Sequence, residues 1–303
     1  MGRNDAPPWR GPGLCIKILH DTSGRARVGC QSTAVTESRH EMKAGRDPTR
    51  RNRNIGTSKH GHGRDNAMAI PKSWPDERVY YEFLKDPRFE QRELGSQTIM
   101  FIVDPPTRGC RHACTPDEVI AILKLLPAGH VRGIDNIVLR QPTRKQSLLR
   151  PCWGRLVYWA DLGKHSGTTI YLEAQDPSQT IRWGHSLDPD DVAELERIRL
   201  DGHVIRSTKG HHVIESSIEA IRATQLFRTI PHEVGHYVHF STTDWERYQK
   251  IPTQDREANA HRYADHRIDD LTRRNRIPFS RDEVPRCKSS LPADWFAPPT
   301  DAS

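Results

Sequence analysis

The stretch "TIPHEVGHYVHF", Thr229–Phe240, combines an apolar helical pattern with three histidines and a glutamate. His232 and His236 are four residues apart, so on an α-helix their side chains lie on the same face, one turn apart. Two imidazoles in that arrangement can supply two ligands to one metal ion, and Glu233 stands beside the first of them. The pattern therefore predicts a helix that carries half a metal site together with a carboxylate that can act as a base.

The sequence upstream of this stretch predicts strands and capped helices. Thr115 as N-cap, Pro116 at the first helical position and Glu118 three residues after the cap form a capping box. Strands are predicted at 96–103, 133–140, 156–160 and 168–174, with a further hairpin turning near 209–210; helices are predicted at 115–127, 188–200, 218–238 and 254–271. Strands followed by helices on one side, with two helices at the end, predict an α+β domain over about 75–285.

The ends of the chain differ in composition from its middle. Residues 1–67 contain 13 Lys/Arg against 6 Asp/Glu, whereas the remainder contains 33 of each, so the whole net charge of +7 belongs to this segment. It has no apolar periodicity and can bury too little surface to offset chain entropy, so we predict that it is disordered. It is an idle extension, or a stretch translated from an upstream start with Met68 as the true initiator, or a basic tail that binds nucleic acid or anionic lipid. The Pro-rich residues 286–303 are expected to form a loose tail.

Composition also limits the cellular compartment. No apolar run approaches the roughly 20 residues of a membrane span, and "LCIKIL" near the N-terminus is too short and interrupted for a secretory signal. Six scattered cysteines make no disulfide framework, so we expect a cytoplasmic protein without membrane contact. The motif "CRHAC", 110–114, lacks a second Cys/His pair at the usual distance, and this favours ordinary buried thiols over a structural zinc site.

A catalytic zinc site takes three protein ligands and keeps one position for water, so a third ligand is needed. Glu246, Glu257, His261 and Asp265 are the downstream candidates. Glu257 is favoured because it lies 21 residues after His236, at the head of the last predicted helix, which leaves room for the chain to turn and return. His261 is the competitor, since it lies one turn further along on the same face.

These residues resemble those of the zincin metallopeptidases, in particular the gluzincin branch, in which HExxH is followed by a Glu on the next helix. "REANAHRYA", 256–264, is also similar to the ligand helix of small bacterial metallopeptidases that cleave phage-type repressors. The resemblance implies a zincin-like fold, zinc (Zn²⁺) held by His232, His236 and Glu257, and Glu233 as general base. It covers only about 217–270, position 242 holds no histidine of the kind a metzincin needs, and the strand-rich region is longer than in the repressor-cleaving group. Substrate identity therefore does not carry over.

The chemistry expected of such a centre is peptide hydrolysis. Zinc lowers the pKa of its bound water, and Glu233 takes the proton of that water and passes it to the leaving amine. His239 is expected to pack rather than to bind metal. The oxyanion donor is left open among His211, His212, His261 and Tyr263, and a substrate peptide is expected to pair with the strand edge at 168–174 or 211–215.

The sequence thus predicts a cytoplasmic zinc-dependent peptidase that acts on a peptide or protein substrate, with no nucleic-acid contact by its folded domain. The alternative is a catalytically silent zincin-fold regulatory or interaction protein that contacts nucleic acid through residues 1–67. Metal content and the effect of Glu233→Gln separate the two.

Overall fold

The computed structural model describes residues 14–17, 83–107, 109–143, 152–187, 189–277 and 290–296. These all belong to one compact unit, formed by 1–22 and 79–303, and a second unit, 23–78, lies outside the described residues.

The main feature of the unit is a six-stranded mixed sheet. Its strands are β1 (Leu14–Lys17), β2 (Arg88–Leu94), β3 (Gln97–Val103), β4 (Asn136–Arg140), β5 (Cys152–Ala160) and β6 (Gly167–Glu173), in the spatial order β1-β5-β6-β4-β3-β2. The three strands β3, β4 and β6 are mutually parallel, and the other pairings are antiparallel. The predicted strands at 96–103 and 133–140 and the predicted hairpin of 156–160 with 168–174 are confirmed, with small changes at the ends.

A second, smaller sheet has three antiparallel strands. These are β7 (Ile181–Gly184), β8 (Val204–Ser207) and β9 (His211–Glu215), in the order β7-β9-β8. The turn between β8 and β9 confirms the hairpin predicted near 209–210. Trp183 and Ile214 form a small core beneath this sheet with Leu195 and Ile198 of a helix.

Seven α-helices complete the described part of the chain. They are α1 (Pro116–Leu125), α2 (Ala128–Val131), α3 (Pro189–Leu200), α4 (Ile218–Thr224), α5 (Ile230–Thr242), α6 (Trp245–Lys250) and α7 (Thr253–Arg273). The capping box of α1 is present, because Thr115 accepts from the Glu118 N–H while the Glu118 carboxylate accepts from the Thr115 N–H. Within the described ranges, no helix combines the length and apolar character that crossing a bilayer requires.

The core lies between one face of the large sheet and the helices. Buried sheet residues such as Phe101 and Ile137 belong to the same apolar cluster as Val119 of α1, Val234 of α5 and Leu271 of α7. Burial of one such side chain contributes about 1.5–3 kcal/mol relative to exposure, so this layer holds α5 firmly against the sheet. A mixed sheet covered by helices confirms the predicted α+β class.

α4 and α5 are joined by a π turn, Gln225–Thr229, rather than by a break. The Ile230 N–H donates to the carbonyl of Gln225, five residues back instead of four. Pro231 follows as one of the first two residues of α5. A proline has no N–H and its ring crowds the carbonyl four residues earlier, so a wider turn directly before it relieves both problems.

Both terminal predictions need correction. Leu14–Lys17, inside the segment expected to be disordered, forms a strand that pairs antiparallel with β5, because the free edge of β5 offers backbone groups to pair with. The rest of 1–67 lies outside the described residues. Ser290–Phe296 is not loose, since Leu291 and Phe296 are buried in the main core and the His112 N–H donates to the Trp295 carbonyl. The apolar residues of "LPADWF" anchor it, while 286–289 and 297–303 fall outside the description.

Candidate metal centre

The half of α5 that carries the histidines is wholly buried. Every residue from Ile230 to His236 is buried, and the rings of His232 and His236 are both 0% exposed. The two rings lie edge to face, with their centroids 4.6 Å apart. The i, i+4 spacing thus places both imidazoles on one face, as the sequence predicted. Because the core encloses this segment, the ring positions are fixed by packing.

α7 delivers the third candidate through a close contact at Gly235. A Cβ atom at Gly235 would lie 3.1 Å from the Cα and carbonyl oxygen of Ala260 and 3.0 Å from the Cβ of Tyr263. These contacts are tighter than a Cβ normally makes, so the absence of a side chain at Gly235 lets the two helices approach closely. The approach brings Glu257 Oε2 to 3.2 Å from His232 Nε2 and 3.6 Å from His236 Nε2.

The three side chains fit a divalent metal ion. One ligand atom from each of His232, His236 and Glu257 lies within 4.8 Å of the others, and within the described ranges no other group of His, Cys, Asp and Glu does this. All four ring nitrogens of the two histidines are buried without a hydrogen-bond partner of normal geometry. A buried nitrogen left unsatisfied costs about 1–3 kcal/mol, and a metal bond removes that cost. Two nitrogens and a carboxylate are the donor set that zinc takes in open catalytic sites.

Electrostatics favour the protonation states that bind metal. Burial, followed by the neighbouring His236, lowers the pKa of His232 to about 3, so its ring is neutral near pH 7. Burial opposes ionisation of Glu257, but its contacts with His232 and His236 outweigh burial and lower its pKa below its usual range. Neutral imidazole and ionised carboxylate are the forms that coordinate a cation.

Glu233 lies beside the cluster and is 0% exposed. Its Oε2 accepts a hydrogen bond from the Leu156 N–H of β5 at 2.8 Å, while its Oε1 has no partner. Burial, followed by the charge of Glu257, raises the pKa of Glu233 well above its usual value. A carboxylate with one oxygen anchored, one oxygen free and a raised pKa is suited to accept and return a proton.

His261 contacts the centre without belonging to the three-residue group. Its ring lies 4.4 Å from the His232 ring, between centroids, and its Nδ1 is buried without a partner. Burial, followed by the charge of Arg197, lowers its pKa to about 4. Glu257, and not His261, therefore completes the three-residue group whose ligand atoms lie within 4.8 Å of one another, while His261 contacts His232 alone.

The other residues considered as oxyanion donors have partners elsewhere. The Tyr263 hydroxyl lies 2.8 Å from His130 Nδ1, and the rings of His211 and His212 contact Thr208 and Ser207 in the small sheet. Among the four candidates, only His261 has a ring contact with His232.

Neither strand expected to pair with a substrate peptide has a free edge. β6 lies between β5 and β4, and β9 lies between β7 and β8, so the backbone groups of both are taken by neighbouring strands. Only an edge strand can accept an added strand, and both expectations are therefore wrong. The alternation of residues that marked these segments as strands carries no information about their neighbours.

Two residues of the motif "CRHAC" have hydrogen-bond partners elsewhere in the fold. His112 Nε2 lies 2.8 Å from the Asp104 carbonyl oxygen, and the Cys114 thiol donates to the side chain of Gln225. Cys110 and Cys114 are free cysteines, as expected of ordinary thiols.

Sequence reasoning missed a group of residues at the far end of α5. The short helix α6 brings Tyr248 against Tyr158 of β5 and His239 of α5, and Arg256 packs over the Tyr248 ring. Asp244 caps this helix by accepting a hydrogen bond from the Glu246 N–H. An Asp at this position favours the start of a helix, so α6 could have been predicted from the sequence. No signal in the sequence linked it to Tyr158, which lies 90 residues away.

The chain has no significant match among protein-family models, curated proteins or solved structures. The geometry of the centre is therefore the ground for assigning a function.

Proposed function

We propose that this protein is a zinc-dependent metallopeptidase with a zincin-like fold, in which His232, His236 and Glu257 hold the metal. The observation that carries the proposal is the convergence of these three ligand atoms within 4.8 Å, beside a buried glutamate. A histidine pair on one helix and a carboxylate on the next supply three ligands, and a catalytic zinc ion with three protein ligands keeps its fourth position for water.

When bound by these residues, zinc would lower the pKa of water and polarise a peptide carbonyl. The residues of the chain do the rest. The Leu156 N–H fixes one oxygen of Glu233, and the other oxygen accepts the proton of the attacking water. Because burial raises its pKa, Glu233 holds that proton well enough to deliver it to the leaving amine. The ring of His261 supports His232 from the side, and its free Nδ1 is the remaining candidate donor toward the oxyanion.

A second proposal, a catalytically silent zincin-fold regulatory protein, has one observation in its favour. Glu233 and both histidines are completely enclosed, and a carboxylate with no exposed surface does not meet a peptide unless its surroundings move. Many enzymes have loops or domains that open to admit substrate and close over it, so enclosure does not by itself favour the silent protein. Hydrolysis by purified protein separates the two proposals.

The test compares Glu233→Gln with the parent chain in zinc content and in cleavage of a peptide library followed by mass spectrometry. We expect unchanged zinc and a fall in hydrolysis of about 10²–10⁴-fold, because the proton acceptor is lost while the ligands remain. Glu246→Gln is the matched control, since Glu246 is an exposed glutamate on α6 and should leave both quantities unchanged. Cleavage by Glu233→Gln at the parental rate would remove Glu233 as the base and favour the silent protein.

A further inference from the structure

A polar cluster with no assigned role adjoins the candidate metal centre. We call it the Arg256 cluster, and it consists of Tyr158, His239, Tyr248 and Arg256. The hydroxyls of Tyr158 and Tyr248 are 2.5 Å apart, the His239 ring lies edge-on to Tyr248 at 5.2 Å, and the Arg256 guanidinium lies 5.4 Å from the Tyr248 ring centroid. Four elements, β5, α5, α6 and α7, thus meet at one buried tyrosine ring.

The cluster is contiguous with the centre. His239 lies one helical turn beyond His236, and Arg256 directly precedes Glu257. His239 and Arg256 contact the same Tyr248 ring, so the two residues lie close together. The cluster therefore adjoins the candidate metal centre along both α5 and α7.

Two donors of the cluster lack acceptors. His239 Nδ1 and Arg256 Nε are both buried atoms with no hydrogen-bond partner. One terminal nitrogen of Arg256 donates to the Thr253 hydroxyl at 3.2 Å, and no carboxylate of the described residues lies within ion-pair distance of its guanidinium. A buried nitrogen without a hydrogen-bond partner is unfavourable, so both residues gain from a partner supplied by a bound ligand.

The fully buried arginines of the fold differ from the partly exposed Arg256. Arg222 pairs with Glu118, and Arg140 pairs with Glu173 at 2.9 Å. Arg228 pairs with Glu194 and with Asp201. Each of these guanidinium groups has its carboxylate inside the fold, whereas the Arg256 guanidinium lies over the Tyr248 ring and its Nε is unpaired. A cation–π contact of this kind helps to orient a guanidinium for recognition of an anion.

We propose that Arg256 and His239 form a subsite for a carboxylate of the substrate, on the Tyr248 side of the metal centre. The proposal rests on the peptidase function above and adds a substrate class to it, namely peptides with a carboxylate close to the scissile bond. A carboxylate is the anion that every peptide can offer, either as an Asp or Glu side chain or as the C-terminus. Arginine binds it with two parallel hydrogen bonds, and charge-assisted bonds of this kind are about twice as strong as neutral ones.

Binding rather than turnover tests the subsite. The probes are library peptides prepared in matched pairs, Glu against Gln near the cleavage position and C-terminal carboxylate against C-terminal amide. Their affinities are measured by calorimetry for the full-length chain carrying Glu233→Gln and loaded with zinc. We expect one of the two carboxylate forms to bind about 10–100-fold more tightly than its neutral partner, and the pair that shows the preference identifies the source of the carboxylate.

Adding Arg256→Gln should abolish the preference for the carboxylate form, and Arg256→Lys should retain part of it. The control is Arg247→Gln, which changes an exposed arginine of α6 and should leave the preference intact. Zinc content and melting temperature establish that each variant is folded, and His239→Gln provides a second test from a different helix. The subsite is overturned if both members of every peptide pair bind with equal affinity. It is also overturned if Arg256→Gln lowers the affinity for both members of a pair equally. Failure of the peptidase function is a separate result, since it appears as absence of Glu233-dependent cleavage by the parent chain.

Discussion

The two helices that carry the candidate ligands differ in how they are held. α5 is buried through its whole ligand-bearing half, whereas α7 buries only Ala260, Ala264, Ile268 and Leu271 along its 21 residues. The Glu257 side chain is 26% exposed, in contrast to the two enclosed histidines. The histidines therefore take their positions from the hydrophobic core, while Glu257 takes its position from a narrow contact between two helices. Changes in the two helices should differ in their consequences.

The largest expected effect comes from removing a ligand on each helix. His232→Ala and Glu257→Ala should both purify nearly free of zinc, because each removes a direct ligand. In the presence of a metal chelator, His232→Ala should also destabilise the fold by about 1–3 kcal/mol, since it leaves a cavity in the core. Glu257→Ala should change the free energy of unfolding by less than about 1 kcal/mol. Metal analysis and denaturant unfolding measure the two quantities.

His261→Ala is the control for that experiment. It should retain zinc when the metal is in excess, with affinity lowered by about 10–100-fold, because its ring contacts a ligand without binding the metal itself. If His261→Ala were metal-free and Glu257→Ala were loaded, the centre would be a three-histidine site and the contrast between the helices would fail.

The next effect is acid destabilisation of the structure that supports α5. Burial, followed by the charge of Arg228, lowers the pKa of His203 to about 4. Burial also lowers the pKa of His112 to about 4. Both rings bind protons more readily in the unfolded chain, so their stabilisation is complete above about pH 6.5 and is lost as the pH falls toward 4. Protonation of each ring can lower the free energy of unfolding by up to about 3 kcal/mol at the acid end of this range.

Urea unfolding between pH 7 and 4 measures this loss in metal-free protein. His112→Gln should flatten the pH dependence, whereas His266→Gln, which changes an exposed histidine of α7, should not. An unchanged slope in His112→Gln would show that this ring does not supply the acid sensitivity.

Gly235→Ala tests the contact that positions Glu257. A methyl group would meet the Ala260 backbone at 3.1 Å, so α7 must shift away from α5. We expect a loss of about 1–3 kcal/mol in stability and weaker zinc binding, because Glu257 moves with its helix. Gly129→Ala is the matched control, since a Cβ there meets nothing within 4 Å. Zinc affinity that survived Gly235→Ala would mean that α7 is positioned by its other contacts.

The smallest effect concerns a cap remote from the metal. Thr115→Ala removes the side-chain acceptor of the α1 capping box and should cost about 1 kcal/mol in unfolding experiments. Zinc affinity should be unchanged, because α1 supports the core without touching a ligand. A parallel loss of zinc binding would show that the stability of the core and the geometry of the centre are more tightly coupled than the two helices suggest.

Local signals in the sequence predicted much of the fold and the centre. The capping box at Thr115, the hairpin of β5 with β6 and the shared face of His232 and His236 are all set by residues close in sequence, so their patterns were readable. The place of Glu257 could be inferred because a long helix must return along α5. Sheet order could not be inferred, since pairing of strands depends on contacts between distant residues, and for the same reason β6 and β9 were taken for edges. The Arg256 cluster was hidden because it assembles from four separate elements.

The π turn before α5 has a consequence for how this chain can change in length. The apolar residues Ile221, Leu226, Ile230 and Val234 are spaced five, four and four apart, and the longer first interval coincides with the wider turn. Deletion of one residue from Gln225–Thr229, with closure of the wider turn into a regular α-helix, would make all three intervals four, so these apolar residues would stay on one face. Both histidines would then keep their orientation relative to α4. The wider turn therefore accommodates one additional residue in the chain without turning the candidate ligands away from α7.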